Sequence, residues 1–230
     1  MSRRTKAIWA LTIIQHGTAS FISVFALIHL SAPILATFGG SELASQTMLL
    51  GREFYQGTLS EPLLVLGPLG IHVTASAVKR FLIGFPSPPS LLTWATIPIL
   101  STLPIHFATH RLYPSIPDPP INALSPGELD YEYVKFGLQA WPWRNTLLYL
   151  VLVAGTATHA LEGARAMIRF WQPGAAPPKE WGWKRWSTVA AVVGSAAVGI
   201  LTLKGETLIV TSRAASRISS AWKHSILYRL

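Results

Sequence analysis

The sequence predicts an all-α, polytopic membrane protein, a bundle of five transmembrane helices, and three observations lead to this prediction. Half of the 230 residues are hydrophobic, and only 13% are charged. The hydrophobic residues form five long blocks, each sufficient for the ~20 helical residues that cross a bilayer core. The excess positive charge of +9 lies mainly in the loops and the tail, where it would meet the anionic headgroups of a lipid bilayer. No motif of a nucleic-acid-binding protein accompanies it, so no nucleic acid is expected as a partner.

The membrane domain is predicted over residues 7–205. Its helices are expected at about 7–38, 59–85, 91–113, 141–171 and 187–204. One glycine pair, Gly39–Gly40, and several proline clusters separate these blocks, as is typical of helix ends. Residues 207–230 are predicted to form a basic amphipathic helix that lies on a membrane surface. Lysine and arginine are most frequent on the side that contains the N-terminus, which places that side inside by the positive-inside rule.

The first two helices resemble the next two, which indicates an internal repeat. The segment 25–30 (FALIHL) aligns with 102–107 (TLPIHF), and 72–77 (HVTASA) aligns with 159–164 (HALEGA). Repeat one is predicted at 7–85 and repeat two at 91–171, in the same membrane orientation. A pseudo-two-fold axis along the membrane normal would relate such parallel repeats. The fifth helix is outside the repeat.

Four histidines occupy equivalent positions in the two halves: His29 with His106, and His72 with His159. At ~1.5 Å per residue, the first two share one depth in the membrane and the other two share a second depth. Ionisable side chains at membrane depth are rare and mark functional sites. One imidazole from each half at each level would suit axial ligation of one or two b-type haems. The alternative is that the four histidines are hydrogen-bonded packing residues.

Further histidines leave other possibilities open. His16, near the start of the first helix, would contact a haem propionate or a quinone, or is a simple interfacial residue. His106 and His110, at i and i+4, could bind zinc, although the segment lacks the glutamate of a metalloprotease helix. Gly155 and Gly163, four positions on either side of His159, would let a flat macrocycle approach the helix. Without cysteine, and without a nucleophile–base pattern, the chain is more consistent with a non-enzymatic role than with a hydrolase or transferase.

The histidine pattern resembles the di-haem cytochrome b membrane anchors of succinate:quinone oxidoreductases. That resemblance implies the ligand pairs His29/His106 and His72/His159, and electron exchange with quinone. The segment 129–138 (LDYEYVKFGL) and its flanking helices resemble more closely a fungal mitochondrial adaptor family with the same membrane plan. This second resemblance implies an integral protein of the mitochondrial outer membrane that acts in lipid homeostasis.

The adaptor family recruits a bridge-like lipid-transfer protein through a proline-x-proline motif. Pro117 and Pro119 fit this pattern in the longest loop, and Pro86 and Pro88 fit it in a shorter turn. The loop copy is the preferred partner-binding candidate. The sequence thus predicts a membrane adaptor first, a haem b electron-transfer anchor second, and a transporter of lipids or small molecules third.

Overall fold

The described part of the chain is helical and has the predicted number of long apolar helices. A computed structural model describes residues 2–84, 88–174 and 181–229, and no strand occurs among them. Five of its helical segments are long and apolar enough to cross a membrane. This confirms the all-α class and the five candidate spans. The bilayer placement and the internal repeat stay predictions.

The first helix, α1 (Arg3–Tyr55), is interrupted but not ended by its glycine pair. Gly39 and Gly40 have non-helical backbone angles, and Gly40 has a φ of 59°, a conformation that favours glycine. Helical geometry resumes at once because the Glu206 carboxylate accepts the backbone N–H of Ser41 at 2.9 Å. The sequence places no helix between residues 38 and 59, whereas residues 41–55 form a second helical arm of α1 beyond this break.

Two spans contain π-helical turns. A π-helix at Glu61–Leu66 leads into α2 (Gly67–Ile83), and α3 (Leu91–Phe107) continues through a π-helix at Ala108–Leu112 and a 3-10 turn at Tyr113–Ser115. The two π-helices are joined by Glu61 and Arg111, which form two hydrogen bonds of 2.7 Å each. A bidentate pair of this kind lowers the cost of placing both charges near the end of the bundle.

The remaining long helices are α5 (Pro142–Trp171) and α6 (Trp181–Gly205). The helices α1 and α2, the first helix pair, pack together, as do α3 and α5, the second helix pair. Helix α6 contacts both α1 and α5. Its Gly199 lies so close to α1 that a Cβ there would collide with the Pro33 carbonyl oxygen. Helix α6 begins at the tryptophan-rich belt, earlier than the predicted residue 187.

The long loop and the C-terminal segment fold together over one end of the bundle. We call residues 114–140 and 206–229 the cap; it includes α4 (Tyr131–Ala140) and α7 (Ser212–Lys223). The core of the cap consists of Ile121, Leu124, Leu129, Tyr133, Ile218, Ala221, Trp222 and Tyr228. The apolar face of α7 is thus covered by protein. The expectation that Ile218 and Trp222 insert into a membrane surface is wrong, because both are buried against the loop.

Candidate functional site

The histidine pair nearer the cap is formed by His29 of α1 and His106 of α3. Their ring centroids are 5.9 Å apart, and their planes are inclined at 78°. Phe25 stacks on His29 at 5.3 Å, and Tyr55 contacts Phe25 edge-on at 5.0 Å. The apolar periodicity of α1 places residues 25 and 29 on one helical face, so one turn supplies both the imidazole and its aromatic neighbour.

The second pair, farther from the cap, is formed by His72 of α2 and His159 of α5. Their ring centroids are 6.3 Å apart, with an interplanar angle of 80°. The Nδ1 atom of His72 lies 3.2 Å from the carbonyl oxygen of Gln15 and 3.2 Å from the Thr18 hydroxyl. These two partners belong to α1, so contacts within the first helix pair set the orientation of the His72 ring.

Both pairs share the same asymmetry in hydrogen bonding. The histidine from the first helix pair has a partner for Nδ1, which is the Gln15 carbonyl for His72 and the Tyr55 hydroxyl, at 3.4 Å, for His29. The Nδ1 atoms of His106 and His159, from the second helix pair, are buried and have no partner among the described residues. Buried polar atoms without a partner are unusual, and a functional role, a bound water or an ion can account for them.

The backbones of the two helix pairs are separated by a wider space than the backbones within each pair. Among the described residues, neither α1 nor α2 packs closely, backbone against backbone, with α3 or α5. Gly155 does not contribute to this space, because a Cβ there would meet Pro98 of α3 at 3.0 Å. A Cβ at Gly163 would meet no other atom within 4 Å, so the helix surface beside His159 is open on that side. Of the two predicted glycine contacts, only Gly163 is placed where a flat group could approach.

The residues present fit haem b. Two imidazoles that bind one iron from opposite sides have ring centres roughly 6 Å apart, because each nitrogen lies roughly 2 Å from the metal and each ring centre lies roughly 1 Å beyond its nitrogen. The observed separations of 5.9 and 6.3 Å agree with that value. The anchored Nδ1 of His72 leaves Nε2 free to ligate, as is typical of histidine ligands that donate to a carbonyl. Ligation by the four histidines stays a prediction.

The zinc alternative receives no support from the geometry of His110. Its Nε2 atom lies 2.9 Å from the Tyr149 hydroxyl, and its Nδ1 atom lies 3.1 Å from the carbonyl oxygen of His106. Both nitrogens are therefore engaged. No group of three or more histidine, aspartate or glutamate side chains is arranged for a metal ion within the described ranges. His110 instead joins the bundle to the cap, since its ring contacts Trp222 at 5.1 Å.

At the other end of the bundle, His16 lines a groove between α1, α2 and α5. The groove has a volume of about 420 Å³ and is also lined by Trp9, Lys79 and Phe170. The His16 ring contacts Phe170 edge-on at 4.9 Å, and its Nδ1 atom is buried without a partner among the described residues. His16 is thus neither a member of a histidine pair nor a simple exposed interfacial residue.

Glu162 pairs across helices more closely than within its own. Its carboxylate is 2.7 Å from Arg185 of α6 and 4.0 Å from Arg165 one turn along α5. The second contact joins residues three apart on one helix, whereas the first joins two helices. Pairing over three residues can be inferred from helical periodicity, whereas the approach of α6 depends on tertiary packing.

Lys135, which the sequence analysis assigned only to a loop, is almost fully buried in the cap. Its ammonium group lies 2.6 Å from Glu132 and 3.3 Å from Glu206, and it donates to the Thr207 carbonyl at 2.9 Å. Burial opposes ionisation of Glu206, but hydrogen bonds from Ser41 and Lys135 outweigh this effect and lower the pKa of the carboxyl. This cluster joins the break in α1 to the cap.

The candidate partner motif is displayed on the outer surface of the cap. Pro117 and Pro119 are exposed, and the turn over residues 118–122 is closed by hydrogen bonds from Ile121 and Asn122 to the carbonyl oxygen of Asp118. Arg217 of α7 holds the same loop through the carbonyl oxygens of Ile121 and Asn122. The loop is thus a pinned turn. Of the second copy of the motif, Pro86 and Ser87 lie outside the described residues.

Comparisons with protein-family models, with curated proteins and with solved structures found no match to this chain.

Proposed function

We propose that this chain is a multi-pass membrane adaptor that acts in lipid homeostasis and is built on a haem b-type helical bundle. The two histidine pairs are the observation on which the bundle type rests. The resemblance of residues 129–138 to the fungal adaptor family supports the adaptor role, recruitment of a bridge-like lipid-transfer protein, and a location in the mitochondrial outer membrane. Five long apolar helices support the bilayer as the surrounding medium.

In this proposal, His29 and His106 would hold one haem b, and His72 and His159 would hold another. When bound, haem b would supply a one-electron redox couple. The chain's own contribution is to orient the imidazoles: Gln15 accepts a hydrogen bond from His72, while Phe25 packs against the ring of His29.

A reduced-minus-oxidised visible spectrum of the purified protein, expressed with excess haem, tests the bundle type. We expect b-type bands, and we expect the substitutions His72→Ala and His159→Ala to remove the same haem. His224→Ala is the matched control, since His224 is exposed on the cap. A spectrum without haem bands contradicts the haem sites. Loss of different haems in the two variants contradicts the pairing.

The cap supports the adaptor role, because a folded surface holds Pro117 and Pro119 in an exposed position. A pinned turn loses little conformational entropy when a partner binds. The double variant Pro117→Ala/Pro119→Ala should abolish recruitment of the lipid-transfer protein to mitochondria, measured as its co-localisation in cells. Pro126→Ala, in another exposed turn of the cap, should leave recruitment unchanged. Undiminished recruitment by the double variant would discard this copy of the motif.

The same geometry favours a second candidate, a di-haem cytochrome b anchor that exchanges electrons with quinone. The specific observation is the presence of two histidine levels, which would place two haems at different depths between the helix pairs. A short-chain quinol should then reduce the purified protein at a rate that falls when either histidine pair is removed. An adaptor that retains haem only as a structural group would show the bands without reduction by quinol.

A further inference from the structure

The groove beside His16 lies on the periphery of the bundle, at the end where α1 begins and α2 and α5 terminate. Its apolar walls are formed by Ile8, Trp9 and Phe170. Trp9 is 55% exposed, so the groove opens outwards, to the side that would face lipid. The residues of α1 that line the groove run from Thr5 to His16, a length of roughly 16 Å at ~1.5 Å per residue. This shape suits an elongated amphiphile.

The polar end of the groove contains a positive charge that the described residues do not neutralise. Lys79 donates one hydrogen bond of 3.0 Å to the amide oxygen of Gln15, which is uncharged. None of the carboxylates in the described ranges forms a salt bridge with it. Lys79 is also partly buried beside apolar side chains. A partly buried ammonium group without a counter-charge is costly, and an anionic ligand would remove that cost.

His16 provides a second polar atom that lacks a partner. Its Nδ1 atom is buried and makes no hydrogen bond within the described residues. The ring is held in place by its edge contact with Phe170, at 4.9 Å. The Thr12 hydroxyl, which also lines the groove, donates to the Ile8 carbonyl at 2.8 Å and makes no hydrogen bond with this atom. An oxygen atom of a bound anion would give Lys79 a charged partner beside the His16 ring.

The groove lies at the end of the bundle that is richest in basic residues. The surrounding positive side chains on this end include Arg3, Arg4, Lys6, Arg80, Arg165 and Arg169. Such a concentration of charge next to apolar spans favours anionic headgroups at the membrane surface.

We propose that this groove binds one anionic phospholipid, with the phosphate against Lys79 and His16 and an acyl chain along Ile8, Trp9 and Phe170. The inference rests on the membrane placement of the proposed function but not on haem or on partner recruitment. A haem propionate does not account for the groove equally well. The His72 and His159 rings meet between the two helix pairs, whereas Trp9 is on an outward surface.

Native mass spectrometry of the detergent-solubilised protein, titrated with phosphatidylglycerol or phosphatidylcholine, tests the proposal. One phosphatidylglycerol should bind more tightly than the rest, and more tightly than phosphatidylcholine. Lys79→Met should weaken this first binding step about fivefold, the effect of one basic residue on an anionic lipid. Lys79→Arg should restore most of the affinity. Lys6→Met is the matched control, because Lys6 is an exposed lysine on the same end that does not line the groove.

Equal losses for Lys79→Met and Lys6→Met would overturn the proposal, since they would indicate diffuse attraction to the whole basic end. Equal affinity for the two lipids would also overturn it. If Lys79→Met instead changes the haem spectrum and leaves lipid binding intact, the groove holds a propionate and the lipid site is wrong. A protein that stays soluble and monomeric without detergent would contradict the membrane placement itself, which separates that failure from the failure of the groove.

Discussion

Trp222 is the side chain whose removal should most clearly disrupt the cap. Its ring is fully buried, stacks on Tyr133 at 5.2 Å with an angle of 18°, and contacts Tyr228 at 4.9 Å. It also covers Gly137 of α4, where a Cβ would collide with the indole ring. Helix α7 has only 12 residues, too few for an isolated helix to be stable in water. The packing of Trp222 therefore holds α7 in place.

The magnitude follows from the burial. Truncating a buried tryptophan to alanine costs about 3–5 kcal/mol of folding free energy. Trp222→Ala also removes an indole N–H that has no partner in the described structure, and this offsets roughly 1 kcal/mol. We therefore expect the cap to lose about 3 kcal/mol of stability, which corresponds to a roughly hundredfold larger open population because each 1.4 kcal/mol is about tenfold.

Native-state proteolysis of the detergent-solubilised protein measures this population. Trypsin sites at Arg213, Arg217 and Lys223 lie within α7 and should be cleaved only after the cap opens. Trp222→Ala should accelerate this cleavage roughly a hundredfold. Trp143→Ala is the control, because Trp143 is 82% exposed and should change the rate little. Equal rates for the two variants, or protection that depends on lipid instead of Trp222, would refute the internal packing of α7.

Three further outcomes are expected. Gly199→Leu should lower the thermal unfolding midpoint, measured by circular dichroism in detergent, because overpacking against the Pro33 carbonyl costs about 1–3 kcal/mol. Gly194→Leu is the control: it adds its side chain to open space and should leave the midpoint unchanged. Lys135→Met should destabilise the cap by roughly 2 kcal/mol in the trypsin assay. This cost is smaller than that of breaking a fully buried ion pair, because the Glu206 side chain is 29% exposed to water. An unchanged cleavage rate would contradict the role of this cluster. The pKa of Glu206 is lowered from 4.5 in the folded protein, so its contribution to stability should be complete above that pH and should disappear as the pH falls through the lower folded value. Tryptophan fluorescence during an acid titration can follow this loss. An acid transition that is unchanged in Glu206→Gln would refute the assignment.

Much of the helical bundle follows from the sequence because the relevant signals are local. Length and hydrophobicity of each block define a candidate span, and these properties need no knowledge of neighbours. The equivalent positions of His29 and His106, and of His72 and His159, also come from the chain alone. Helical rise converts those positions into depths, and the equal depths predict that the two histidines of each pair lie close together. The ring separations of 5.9 and 6.3 Å were not accessible in this way.

The errors of the sequence analysis occur where a distant segment decides the local structure. Gly39 and Gly40 break the helix as their composition favours, but Glu206, far along the chain, caps a further helical arm that the sequence did not indicate. The basic amphipathic pattern of α7 suits a membrane surface equally well as a protein core. Helix α7 packs against protein because the cap segment 114–140 provides Tyr133 and Leu129. Amphipathicity specifies that an apolar face must be covered, and it does not specify what covers it.

The sequence by itself therefore determined the helical class, the number of candidate spans and the four paired histidines, because periodicity and hydrophobicity act within one helix. Only the tertiary structure decided that the loop and the tail form one cap around Trp222, that Lys135 is buried, and that Lys79 and His16 share a groove. These features depend on contacts between residues far apart in the chain, and their free energy comes from burial and charge pairing that no single segment contains.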